Sequence, residues 1–221
     1  MLQELAPIFA RYEQLRATTD QLFQQVMQQF PTCIQCKPGC DSCCHALFDL
    51  SLVEAMYINA AFHKTFDYGP ERSEILTKAA ATDRKLTKIK RDLFQKEKQG
   101  VEQADIMQEV ATLRMPCPLL SSENRCLLYQ DRPITCRVYG MPTMINGKSH
   151  VCGLSQFDQG TNYPTLHLDK IQARLEALSH DIATTLKSRF TELDQVYVPL
   201  SLALLTNYDA HYLGIGKEQE E

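Results

Sequence analysis

The stretch Cys33-Ile34-Gln35-Cys36-Lys37-Pro38-Gly39-Cys40-Asp41-Ser42-Cys43-Cys44 places five thiols within twelve residues, a density that points to a metal or to disulfides. Cys33-x2-Cys36, Cys36-x3-Cys40 and Cys40-x2-Cys43 have the spacing from which a tight turn directs two thiolates at one ion. Gly39 supplies the backbone freedom such a turn needs, and Pro38 stiffens the approach. Ligation by thiolates alone favours zinc or iron-sulfur chemistry over magnesium or calcium, which take oxygen. Cys43 and Cys44 are neighbours whose side chains need not point the same way, so the pair serves two centres or shares one cluster. Cys117, Cys126, Cys136 and Cys152 follow later in the chain. Together with Cys36, Cys40, Cys43 and Cys44 they make two four-ligand sites or one polynuclear site, with Cys33 as the spare.

A chain of 221 residues can bury a real core without help from a metal, so the nine cysteines need a reason of their own. Disulfide frameworks belong mainly to short secreted chains rich in loops, whereas this sequence carries long helical patterns. Met1 to Pro7 lacks a basic segment followed by an apolar one, so no signal peptide is expected, and no run of eighteen apolar residues spans a membrane. The expected address is the cytoplasm, where thiols stay reduced. A net charge of −4, from 23 basic and 27 acidic residues, gives no electrostatic reason to expect nucleic acid. The basic run from Lys85 to Arg91 reads as a solvated helix face.

Outward from the cysteine stretch, the elements are helical. Ile8, Tyr12, Leu15, Leu22, Val26 and Phe30 predict an amphipathic helix over 8–30, ending before Pro31. Ser51 with Glu54 fits a capping box that opens a helix over 52–65, with Asp49 as another candidate cap. Gly69-Pro70 is a turn, a long helix follows to about Lys98, Gly100 interrupts it, and a short helix lies within 101–113. From Met115 to Thr165 prolines and glycines replace the periodicity. Asn146-Gly147 predicts a hairpin between 142–145 and 149–151, where alone strand is expected. Helix resumes over 165–190 and again from Leu200 to Tyr212, before a polar tail over 214–221 that is expected to fray. The expected fold is mainly α, a single domain over 1–221. It is an antiparallel helical assembly with at most a small β-hairpin, in which two cysteine-rich loops converge on a metal centre within 33–153.

The cysteine pattern resembles the YkgJ-like family, the CxxCxxCC zinc- or iron-chelating domain. The first block is Cys36-Lys37-Pro38-Gly39-Cys40-Asp41-Ser42-Cys43-Cys44 with Leu50-Ser51-x2-Glu54-Ala55 after it. The second is Cys117-Pro118-Leu119-Leu120, Cys126-Leu127-Leu128-Tyr129, Arg132-Pro133-Ile134-Thr135-Cys136-Arg137 and Cys152. The chain departs from the pattern in the three residues between Cys36 and Cys40 and in the additional Cys33. The resemblance implies a bound iron, iron-sulfur or zinc centre held by the eight cysteines, and no settled reaction. A more distant resemblance, to the cysteine cluster of flagellin lysine N-methylase, extends this to modification chemistry. Cys36-x3-Cys40-x2-Cys43 also matches the spacing of radical S-adenosylmethionine enzymes, but those build a barrel of strands and helices after it, and this chain continues with helices.

Arg132 and Arg137 flank Cys136 and would offset thiolate charge, or form ordinary ion pairs. Tyr129 and Tyr139 donate to sulfur or pack the loop, and His45 and His150 are the histidines nearest the cysteines. No Ser-His-Asp arrangement is legible, so no catalytic residue is assigned. The functions that follow are an iron or iron-sulfur protein with a redox or modifying role, a structural zinc protein, or a metal buffer or delivery factor. Any partner or substrate would be a protein, with neither nucleic acid nor membrane involved.

Overall fold

In a computed structural model, which describes residues 2–216, the chain is mainly helical with two small sheets. Helix α1 runs from Leu2 to Gln29, with Leu5, Ile8, Tyr12, Leu15 and Val26 on its buried face. It begins before the predicted residue 8 and takes Pro7 inside it at the loss of one backbone hydrogen bond, with Leu5 fully buried on its core face. Strand β1 (Asp49–Ser51) leads into α2 (Leu52–Thr65), which has the expected bounds. Almost all of the first two turns of α2 is buried, so it forms the centre of the core.

Helix α3 (Pro70–Lys98) ends as Gly100 suggested. Gly100 has φ +86, its N–H bonds the Glu97 carbonyl and that of Val101 bonds the Lys96 carbonyl, the paired closure that a left-handed residue after a helix allows. Helix α4 follows at Gln103–Thr112. Helix α6 (Leu168–Thr185) is shorter than the predicted 165–190, because Lys187 takes the same left-handed role at φ +49. There the Lys187 and Ser188 amides close on the carbonyls of Thr184 and Ala183. Helix α7 (Leu200–Leu205) also stops early: the Asn59 amide of α2 donates to the carbonyls of Ala203 and Thr206 at 2.9 and 3.1 Å, satisfying groups that a longer helix would have used itself. Of the predicted fraying tail, residues 217–221 lie outside the described residues. Gly214 and Ile215 are held by hydrogen bonds to Arg189 and Ala210.

Between α4 and α6 lies an unpredicted helix of five residues, α5 (Ile134–Val138). The hairpin is present as β2 (Thr143–Ile145) and β3 (Lys148–His150), turning on Asn146 and Gly147 at φ +49 and +72, as a tight hairpin requires. It is not the sole strand. β4 (Leu166–His167) joins β2 in parallel, and β1 pairs antiparallel with β5 (Tyr197–Pro199), which leads into α7. α1 lies against α5, α6 and α2, while α3 packs on α7 and α4. No helix among the described residues is long and apolar enough to cross a membrane.

Candidate functional site

Backbone hydrogen bonds join the two cysteine regions. The Cys117 N–H donates to the Cys44 carbonyl at 2.7 Å and the Met115 N–H to the His45 carbonyl at 3.1 Å. Cys43 and Cys44 sit on a single 3-10 turn, Ser42–His45. Cys126 lies on a short bridge opposite Leu120, and Cys136 is carried by α5.

Glu54 of α2 sets the position of α5. Its carboxylate is buried, accepting from the Tyr12 hydroxyl of α1 at 3.2 Å, the Ser51 hydroxyl at 3.4 Å and the Ile134 N–H at 3.0 Å. Ile134 is the first residue of α5, so a residue predicted as a capping partner also holds the helix that carries Cys136. Burial pushes the Glu54 pKa above the ordinary carboxylate value, against the hydrogen bonds it accepts. Gly140 admits Cys36, since a Cβ there would overlap the Cys36 sulfur.

Around these elements lies a cavity of about 640 Å³. Cys36, Cys40, Cys43, Cys44, Cys117, Cys126, Cys136 and Cys152 all line it, and Cys33, His45 and His150 do not. Cys33 instead gives its carbonyl to the Gln156 N–H at 2.8 Å, and the His45 ring faces the Asp41 carbonyl at 3.2 Å. Much of the remaining wall is apolar, from Phe23, Met27, Leu47, Phe48 and Met115. Helix α1 supplies Phe23 and Met27, which periodicity marks only as helical positions.

The thiols form two neighbourhoods with Cys43 common to both. Cys36 feels the charges of Cys40, Cys152 and Cys43, whereas Cys44 feels those of Cys43, Cys117 and Cys126. The neighbouring thiols of Cys136 and Cys44 hold the Cys43 pKa far below the ordinary thiol value, and the charge of Arg132 assists. Cys136 and Cys44 are pushed the other way, both well above it. Burial raises Cys117 to about 12; Cys36 belongs to an exposed residue, but desolvation of its sulfur, which lies against Gly140, and the neighbouring thiols raise it to about 11. All nine cysteines are free thiols.

This arrangement does not fit the expected metal. Four thiolates on one zinc, with bonds near 2.3 Å, must lie within about 3.8 Å of one another around a point. The thiols here surround a cavity, and among the described residues no group of three or more His, Cys, Asp or Glu is placed to hold an ion. The expectations of an iron, iron-sulfur or zinc centre, and of the redox, structural or buffering roles built on it, are therefore corrected: spacing brought the cysteines to one cavity wall and not to a common centre.

The arginines divide. Arg137 is buried and fully engaged, with Nη1 2.5 Å from Asp20 of α1, Nε 2.8 Å from the Arg132 carbonyl and Nη2 on the Gln130 carbonyl. Its role is the ordinary ion pair, and it ties α5 to α1. Arg132 lies over the exposed Tyr129 ring at 3.8 Å, and its charge reaches Cys43, Cys36 and Cys126. Tyr139 lines the cavity with its pKa raised by burial.

Fold and site together define a helical protein with a thiol-walled cavity lined by two cysteine loops. A family model matches residues 35–153, more than half the chain, and the protein belongs to that family, CxxCxxCC, described as "Putative zinc- or iron-chelating domain". No curated protein and no solved structure matches the chain.

Proposed function

We propose that the chain performs thiol-disulfide exchange on a small, largely apolar molecule taken into the cavity, with the eight lining cysteines as its functional site and Cys43 as nucleophile. The observation that carries the reading is that eight free cysteines, Cys43, Cys44 and Cys136 among them, line one cavity large enough for a small molecule. The thiolate is the attacking species, and among these cysteines Cys43 is the one whose pKa its neighbours hold low.

The Cys43 thiolate attacks one sulfur of the substrate disulfide, forming a mixed disulfide and expelling the other sulfur as a thiolate. Cys136 then gives its proton to that leaving thiolate and attacks the Cys43 sulfur. A Cys43–Cys136 disulfide forms and the second substrate thiolate departs. Two electrons pass from the protein dithiol to the substrate, and an external dithiol restores the reduced pair. Such a cycle suits a reducing compartment such as the cytoplasm.

The test uses 4,4′-dithiodipyridine, a neutral aromatic disulfide, with mass spectrometry on the fully reduced chain. Expected are a fast phase that ends in a Cys43–Cys136 disulfide in the wild type, and a trapped Cys43 adduct in Cys136→Ser. A Cys43→Ser variant that keeps the fast phase would overturn the assignment.

A further inference from the structure

Besides the Cys43 thiolate, the charged side chains on the cavity wall are Asp20, Lys37, Arg125, Arg132 and Arg137. Asp20 and Arg137 neutralise each other in an ion pair at 2.5 Å. What remains is cationic, although the chain carries a net charge of −4. Arg125 stands 4.0 Å from Glu123, both exposed.

Arg132 is the unsatisfied member. It makes no ion pair among the described residues, its one hydrogen bond is a long 3.4 Å contact from Nη1 to the Tyr129 carbonyl, and its Nε is buried with no partner. The stacked Tyr129 ring fixes the guanidinium plane without using its N–H donors. A guanidinium with free donors beside an apolar wall matches a carboxylate, sulfonate or phosphate, which takes two parallel N–H bonds.

We infer that the cavity selects ligands carrying an anionic group on an apolar body, and that Arg132 binds the anion. The inference rests on the cavity being a ligand site. It extends that reading by naming the substrate class, small disulfides bearing an acidic group. The competing role for Arg132, offsetting the Cys43 thiolate alone, predicts no preference for anions once that thiolate is removed.

The experiment separates the two and is independent of the exchange reaction. The Cys43→Ser chain, reduced and verified as folded by near-ultraviolet circular dichroism, is titrated with 8-anilinonaphthalene-1-sulfonate and with the neutral N-phenyl-1-naphthylamine. Expected is binding of both, with added salt weakening only the sulfonate. Arg132→Gln should weaken the sulfonate at least tenfold and change the neutral probe less than twofold, and Arg132→Lys should fall between. In the wild type the sulfonate should slow alkylation of Cys43. Equal loss of both probes in Arg132→Gln, unchanged sulfonate binding, or no binding by the folded chain would each overturn the inference. Loss of exchange by Cys43→Ser together with retained selectivity would confirm both readings separately.

Discussion

Glu54 is the residue whose removal should do most harm outside the cavity. Glu54→Ala leaves the Tyr12 hydroxyl, the Ser51 hydroxyl and the Ile134 N–H without their acceptor, all three on residues no more than 2% exposed. An unsatisfied buried donor costs about 1–3 kcal/mol, and removing a desolvated carboxylate returns part of that, so we expect a net loss of about 3 kcal/mol. This is a large share of the roughly 5–15 kcal/mol that holds a domain together. Glu54→Gln keeps Oε1 as acceptor for Tyr12 and Ile134 and turns an amide toward Ser51, whose oxygen can accept, so it should cost under about 1 kcal/mol. The pH dependence separates charge from hydrogen bonding. Because the folded-state pKa is raised by burial, the folded protein binds the proton more readily than the unfolded chain. The wild type therefore loses stability as pH rises from the unfolded carboxylate value through the folded one, and Glu54→Gln, having no proton to release, improves relative to it over that window. Urea unfolding of reduced protein, followed by far-ultraviolet circular dichroism at pH 5 and pH 8, measures this. A Glu54→Gln variant as unstable as Glu54→Ala, or a Glu54→Gln deficit relative to wild type that grows with rising pH, would refute the reasoning.

Three further outcomes follow from the site. The alkylation rate of Cys43 should be nearly flat between pH 6 and 9, since its thiolate is already formed, while that of Cys36, raised to about 11, should climb about tenfold per pH unit across the same range; time-resolved mass spectrometry reads both. Gly140→Ala should displace the Cys36 sulfur and speed its alkylation while leaving the melting temperature within a few degrees, because the loop that must shift is exposed. Arg137→Met should cost about 2–3 kcal/mol by urea titration, less than a fully buried pair would, because Asp20 is 41% exposed and can recover water.

The helices were legible where one side faces a core. Glu54 with Ser51 marked the start of α2, and Gly100 marked the end of α3. The ends set by a partner were not legible: no local signal says that Asn59 will take the last carbonyls of α7 or that Lys187 will accept a left-handed angle. Strands β1 and β5 have three residues each, too few to show an alternating pattern, and each pairs with a segment about 150 residues away. Helix α5 is a single turn in a segment rich in proline and glycine, and its main support comes from Glu54 and Asp20 on other helices. At the site, spacing marked the cysteines as a group, eight of which line one cavity. It could not give their separations, because those depend on Gly140 and on the α5 anchor, and so it read a cavity as a metal centre.

The backbone clasp between Cys44 and Cys117 has a consequence for biosynthesis. The first block leaves the ribosome 73 residues before its partner, and at roughly 5–20 residues per second that interval lasts about 4–15 s. Throughout it the first block lacks the partner segment whose Met115 and Cys117 amides later bond its His45 and Cys44 carbonyls. Exposure to oxidants during translation is thus the period of greatest hazard for these sulfurs, and a chain released complete into a reducing medium is already past it.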